Sequence, residues 1–224
     1  MQTRYRFNCS NIGRLVLRQK IGHGVTKSVY LGRSIDTSRH PVAVKMVTRK
    51  SLDVTRCVRQ LPADADRQRC FIAANMKLMK EILLLNQLRH RGLVPLLGYC
   101  VRSEETESSS LQDHGVLAVY EYGTHFYVTA MRDWPIDRRL DTAIQLADLA
   151  AYLHQSPLGS LRVADFKETH FLLLEEGRRI AMTDLDDVTS AEPSCSNAPI
   201  SDVNGSQPYV TSLSCPYGLQ VCAI

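Results

Sequence analysis

The sequence is short of the features that would assign it quickly. No apolar run approaches the roughly 18 residues that a membrane-spanning helix needs. The first ten residues, MQTRYRFNCS, contain no apolar stretch of the signal-peptide kind. None of the 7 cysteines forms a CxxC pair, which argues against a zinc site. Aromatics are 7% of the chain and, beyond the short RYRF at 4–7, are not interleaved with basic residues, so the net charge of +4 reads as a solvated surface and no nucleic-acid partner is expected. There is no internal repeat.

What is present suits a globular chain. With 224 residues and 44% hydrophobic content it can bury a sizeable core in one two-lobed domain or two small ones. Cys57 and Cys70 share a polar segment and could close a small loop in an oxidising compartment; unrelated free thiols are the alternative. Two glycosylation sequons begin at Asn8 and Asn204.

The patterning changes along the chain. Residues 15–20 and 28–31 alternate around a glycine turn and predict a hairpin, and HPVAVKMV (40–47) predicts a third strand. Residues 48–69 read as a long, partly irregular connection. Leu78, Ile82, Leu85 and Leu88 fall on one face of a helix over 76–88. GLVPLLGYCV and VLAVYEY predict strands flanking a polar loop, RSEETESSSLQDHG. A helix over 140–154 is expected to bury Ile144, Ala147, Leu149, Ala151 and Leu153. Short strands follow in LRVADF and HFLLLEEGRRIAMTDL, the latter around a Glu-Gly turn. The order predicts an α+β plan: residues 13–122 an antiparallel sheet with one helix, 123–188 a helical unit carrying a small hairpin, and 189–224 a loop-rich or disordered tail.

Five short motifs carry chemistry, each with a bland alternative. Gly22, Gly24 and Val29 fit the protein-kinase loop G-x-G-x-x-G-x-V, with Lys27 where the third glycine belongs; an ordinary glycine hairpin would look similar. Lys45 ends VAVK, where a poorly solvated lysine needs an anionic partner, although a surface lysine is the simpler reading. Glu81, on the following helix, is placed to pair with it. Asp165, Lys167 and His170 in VADFKETHFLL fit a catalytic loop in which histidine replaces the metal-binding asparagine and Val163-Ala164 replaces His-Arg. Asp184-Leu185-Asp186 stands where D-F-G would stand. With Asp187 these acids could gather a divalent cation or form a solvated turn. The order of the five, each on its expected element, predicts a protein-kinase-like fold.

The chain resembles the vertebrate lonesome kinase family, divergent secreted tyrosine kinases. The resemblance rests on GHGVTKSVYLG, RCVRQ, KLMKEILLLNQLRH, LLGYC, SPLGS, DFKETHFLL and TDLDDV and covers about residues 13–195. It implies ATP-dependent phosphorylation of tyrosines on secretory-pathway and extracellular-matrix proteins. It implies that Gly22, Gly24 and Val29 cover the nucleotide, and that Lys45, held by Glu81, grips the phosphates. Asp165 would orient the substrate hydroxyl, Lys167 would stabilise transferred charge, and Asp184 with His170 would hold Mg²⁺ or Mn²⁺. Histidine as a ligand predicts Mn²⁺ tolerance and activity falling below about pH 6.5. The resemblance also strengthens a Cys57–Cys70 disulfide and a Golgi or extracellular address. A family signal segment and large C-lobe helices have no counterpart here, so the chain is read as shortened, with Leu149 and Leu153 partly exposed. The alternative is a catalytically impaired fragment that binds nucleotide or a protein partner.

Overall fold

The computed structural model describes residues 5–34, 40–62, 68–101 and 115–190. The polar loop over 102–114, the second sequon and three cysteines (Cys195, Cys215 and Cys222) lie outside these residues. So does all but the start of the expected tail.

Five strands, β1 (Leu15–His23), β2 (Lys27–Ser34), β3 (Val42–Val47), β4 (Leu96–Val101) and β5 (Val116–Glu121), form an antiparallel sheet in the order β1-β2-β3-β5-β4. Alternation along β3 divides its side chains between two cores. Val42, Val44 and Met46 join Phe7, Ile12, Leu15, Leu117 and Val119 on one face. Ala43 and Val47 face the other, against α2 (Gln68–Gln87). The predicted stripe on α2 is realised, with Leu78, Ile82, Leu85 and Leu88 all at most 3% exposed. Residues Phe7 to Arg14 close the opposite face. There Phe7 bridges Gly98 so tightly that a Cβ on the glycine would lie 2.0 Å from the Phe7 carbonyl oxygen.

The connection over 48–69 differs from expectation, because it contains a second helix, α1 (Leu52–Gln60). Val54, Cys57, Val58 and Leu61 recur at helical spacing, and all four pack into the α2-side core. The sheet unit therefore carries two helices rather than one, and a disulfide between Cys57 and Cys70 joins them. A second disulfide links Cys9 to Cys100 across 91 residues.

The second half holds β6 (Thr124–His125), α3 (Ile136–His154), β7 (Arg162–Val163), β8 (Phe171–Leu174), β9 (Arg179–Met182) and β10 (Val188–Thr189). Strands β6, β8 and β9 form one small sheet, and β7 pairs with β10, so ordered structure continues through Thr189. The turn between β8 and β9 uses positive φ at Glu175, Glu176 and Gly177. On α3 the buried face is Thr142, Gln145, Leu149 and Leu153. Ile144 is 65% exposed, and Ala147 and Ala151 are exposed as well, which corrects the expectation for those three; Leu149 and Leu153 are buried, as the helix pattern predicts and against their expected partial exposure. Hydrophobicity misjudged the face because Gln145 is buried for its hydrogen bonds. It donates to the Arg178 carbonyl and accepts from the Ile180 amide at the edge of β9. The mixed α/β plan, an antiparallel sheet with helices above a helix-and-hairpin unit, is the protein-kinase-like fold expected from the sequence.

Candidate nucleotide site

The site begins with strand register. β2 pairs with β3 so that Lys27 opposes Val47 and Val29 opposes Lys45, and Lys45 in turn opposes Ala118 on β5. Cross-strand partners share a face. Both lysines therefore project to the side covered by α2. Gly22 pairs with Val29 across the hairpin, and the Gly24 amide donates to the Lys27 carbonyl at 2.8 Å to close the turn.

Glu81 comes down from α2 and is fully buried. Lys45 Nζ donates to its Oε1 at 2.7 Å, and Lys27 Nζ donates to its Oε2 at 2.9 Å. Burial opposes ionisation of Glu81, but the two ammoniums outweigh it and hold the carboxyl below its usual range. Lys45 also donates to Thr183 Oγ1 at 2.8 Å and lies 5.0 Å from the centroid of the Tyr120 ring. The predicted Lys45–Glu81 ion pair is thus formed, with Lys27 as a third member.

Asp184 follows β9 with φ 67° and ψ 61°, a left-handed conformation in which a non-glycine residue is strained and which concentrates at functional sites. Its carboxylate pairs with Lys27, lies 3.8 Å from Lys45 Nζ, and lies 3.5 Å from His170 Nε2. Burial works against its charge, yet Lys45 and Lys27 keep its pKa well below the ordinary carboxylate value. Asp186 turns inward to Lys27 at 3.1 Å. Burial, with the neighbouring Asp184 charge, raises its pKa despite that pairing. Glu81, Asp184 and Asp186 bring carboxylate oxygens within 4.8 Å of one another, while Asp187 is exposed. The inward acidic set among the described residues is therefore Glu81, Asp184 and Asp186, and not the Asp184, Asp186 and Asp187 read from the sequence.

Of the catalytic-loop residues, Asp165 and Lys167 are about half exposed and His170 is buried. Pairing of Val163 with Val188, and a bond from the Ala164 amide to the Asp187 carbonyl, fix the loop to the segment that follows Asp184. Lys167 Nζ donates to Asp165 Oδ2 at 2.5 Å, and that bond raises the lysine's pKa. His170 Nε2 is 3.7 Å from the same Asp165 oxygen, while its buried Nδ1 has no partner. His170 thus stands between Asp165 and Asp184. Of the nine residues named from the sequence, seven line one cleft, and the other two, Glu81 and Asp165, contact it through Lys45 and Lys167.

The cleft encloses about 470 Å³, within the range of small-molecule sites. Its walls combine apolar Ile21, Val29, Ala43, Val94 and Leu172 with the charged Lys27, Lys45, Lys167 and Asp184. A cleft lined by both apolar side chains and lysines suits a base joined to a phosphate chain. The donor set also suits a hard divalent cation, since Asp184 and Asp186 offer adjacent carboxylate oxygens and His170 adds an imidazole nitrogen within reach. Sequence reasoning passed over Lys27 and Asp186 as departures from glycine; two-residue alternation from Val29 was the available signal for the first.

Comparison with known proteins agrees with this geometry. The chain is 30% identical over 193 residues to the human protein "Extracellular tyrosine-protein kinase PKDCC", covering 86% of this chain and 37% of that protein. It is 31% identical over 166 residues to the Arabidopsis thaliana "Wall-associated receptor kinase-like 18", covering 70% of this chain and 17% of that protein. It is 27% identical over 164 residues to "Probable serine/threonine-protein kinase PBL23" of the same plant, covering 70% of this chain and 35% of that protein. No protein-family profile matches the chain. It spans little more than a third of the length of these relatives at most.

Proposed function

The chain is a kinase-like protein and a relative of PKDCC, and on that premise we propose that it binds ATP with Mg²⁺ or Mn²⁺ and transfers phosphate to a protein hydroxyl. The observation that carries this is the Lys45–Glu81 ion pair, with Asp184 beside it, at a cleft whose walls are partly apolar. Gly22 and Gly24 cover the phosphates and Val29 lies against the base. Lys45 grips the phosphate chain, positioned by Glu81 and Thr183. Asp184 and His170 are the cation ligands, and the cation would neutralise phosphate charge there. Asp165 accepts the hydroxyl proton, and Lys167, already bonded to it, stabilises the charge passed to the acceptor.

Tyrosine as acceptor and a secretory or extracellular setting belong to the same proposal. Two disulfides among the described residues suit an oxidising compartment. The human relative is named extracellular. Asn8 is exposed, with its side-chain oxygen accepting from the Ser10 hydroxyl at 2.5 Å. Among the described residues no helix is long and apolar enough to cross a membrane.

Two measurements test this reading. ATP with Mn²⁺ is expected to raise the melting temperature of the wild type and to leave Lys45→Met unmoved. Phosphotransfer to a Glu/Tyr copolymer is expected to fall by roughly 10²–10⁴-fold in Asp165→Asn, the usual worth of a positioned acid–base group, and to vanish in Asp184→Asn. A nucleotide-dependent shift without phosphotransfer would mark a binding scaffold; no shift at all would overturn the proposal.

A further inference from the structure

Lys27 is the feature that the motif pattern does not account for. A lysine in a hairpin turn ordinarily sends its ammonium to water. This one is 6% exposed, with Nζ bonded to Glu81, Asp184 and Asp186. Burial disfavours its charge, and those three carboxylates raise its pKa above the ordinary value nonetheless.

The turn is built to hold it there. Beyond the Gly24–Lys27 bond, the Asp53 amide of α1 donates to the Val25 carbonyl at 3.1 Å. The Thr26 hydroxyl donates to the Asp53 carboxylate, which Lys77 of α2 also holds at 2.7 Å. Glu81 gives one oxygen to each lysine, so a single buried carboxylate positions both ammoniums. Lys27 lines the same cleft as Lys45.

We propose that Lys27 is a second phosphate-gripping lysine, held beside Lys45 by Glu81, which exchanges Asp184 and Asp186 for phosphate oxygens when a metal–nucleotide complex binds. The inference rests on the nucleotide-site reading above. A glycine at this turn position offers a phosphate only a backbone amide, whereas a lysine offers a full charge on a flexible four-carbon stem. Three carboxylates face two ammoniums in the cluster. An incoming phosphate chain therefore needs a cation to take up carboxylate charge. A cation that takes Asp184 competes with Lys27 for it, and the freed ammonium, still tethered to Glu81, is left facing the cleft.

The decisive experiment uses the wild-type chain. An acyl-phosphate derivative of ATP, which acylates lysines that touch the phosphates, is expected to label Lys27 and Lys45, with both protected by excess ATP and Mn²⁺. Labelling of Lys45 alone overturns the inference and leaves the nucleotide site standing; labelling of neither removes both. Lys27→Met is expected to weaken Mn²⁺–ATP binding roughly tenfold or more, the loss of one charge-assisted hydrogen bond, with most of it restored in Lys27→Arg. The same variant should bind Mn²⁺ alone about tenfold more tightly by electron paramagnetic resonance, since no ammonium then competes for Asp184. A variant with a lower melting temperature but unchanged affinities for nucleotide and for Mn²⁺ would show a purely structural lysine.

Discussion

Glu81→Gln is expected to abolish nucleotide binding and to lower the melting temperature by roughly 10 °C. The glutamate is fully buried, and its two oxygens each hold one buried ammonium. Removing one partner of a buried ion pair costs about 3–5 kcal/mol, because it leaves charge without compensation. In a chain of this size each kcal/mol moves the midpoint about 2–4 °C. Glutamine keeps the shape and one acceptor oxygen, so packing loss cannot imitate the effect. Lys45→Met combined with Glu81→Leu separates stability from function. The pair then leaves together, Lys27 retains Asp184 and Asp186, and much of the stability should return while nucleotide binding does not. Equal melting temperatures for wild type and Glu81→Gln would show that the cluster contributes little to folding.

The same cluster sets an acid limit. Glu81 and Asp184 have folded-state pKa values held below their unfolded values. Their contribution is fully present above the unfolded carboxylate range, near pH 4–4.5, and is lost as pH falls through the lower folded values. Asp186, raised, works in the opposite sense and blunts the effect. Denaturation midpoints measured from pH 7 to pH 3 should therefore fall at the acid end for the wild type. They should fall less steeply for Glu81→Gln, which lacks one of the cluster's two depressed carboxyls.

What the sequence made legible was whatever repeats locally. The β1–β2 hairpin, β3 and the buried stripe of α2 each follow a period of 2 or 3.6, and motif order puts Lys45 and Glu81 on those elements and Asp184 after the later hairpin. The helix α1 was legible too, in Val54, Cys57, Val58 and Leu61, but its charged exposed face obscured the spacing. The face of α3 was not, because a buried glutamine serving the edge of β9 cannot be told from an exposed one by hydropathy. Lys27 required tertiary information. Its residue type says surface; alternation with Val29 gives its face, but the descent of Glu81 from α2 is what holds its ammonium inward. The inward turn of Asp186 likewise depends on Lys27 being there to meet it.

Removal of the Cys9–Cys100 disulfide is the second large effect expected, and no local pattern announces it, since the two cysteines are 91 residues apart. β4 is an edge strand of the sheet, with a row of unpaired backbone groups that invite association with other chains. Residues 5–14 cover that edge. The Phe7 amide donates to the Leu97 carbonyl at 3.1 Å, Tyr5 meets Tyr99 edge-on, and Ile12 is buried under the strand face. The disulfide fixes this cover to the strand. Loop-closure entropy for so long a separation is worth about 4.6 kcal/mol, against about 2.9 kcal/mol for the 13-residue separation of Cys57 and Cys70. Cys9→Ser with Cys100→Ser should thus lower the melting temperature by roughly 10 °C, and more than Cys57→Ser with Cys70→Ser. It should also promote aggregation through the uncovered β4. Its effect on nucleotide binding should be small, because the cluster of Phe7, Ile12 and Leu15 lies on the sheet face opposite Lys45 and Glu81. The Cys57–Cys70 pair should show the reverse weighting. It costs less stability, but it joins α2 to the helix whose Asp53 supports the Lys27 turn, so its loss should weaken Mn²⁺–ATP binding. Thiol titration of the unfolded, unreduced protein checks the premise, and finding Cys9 or Cys100 free would remove it.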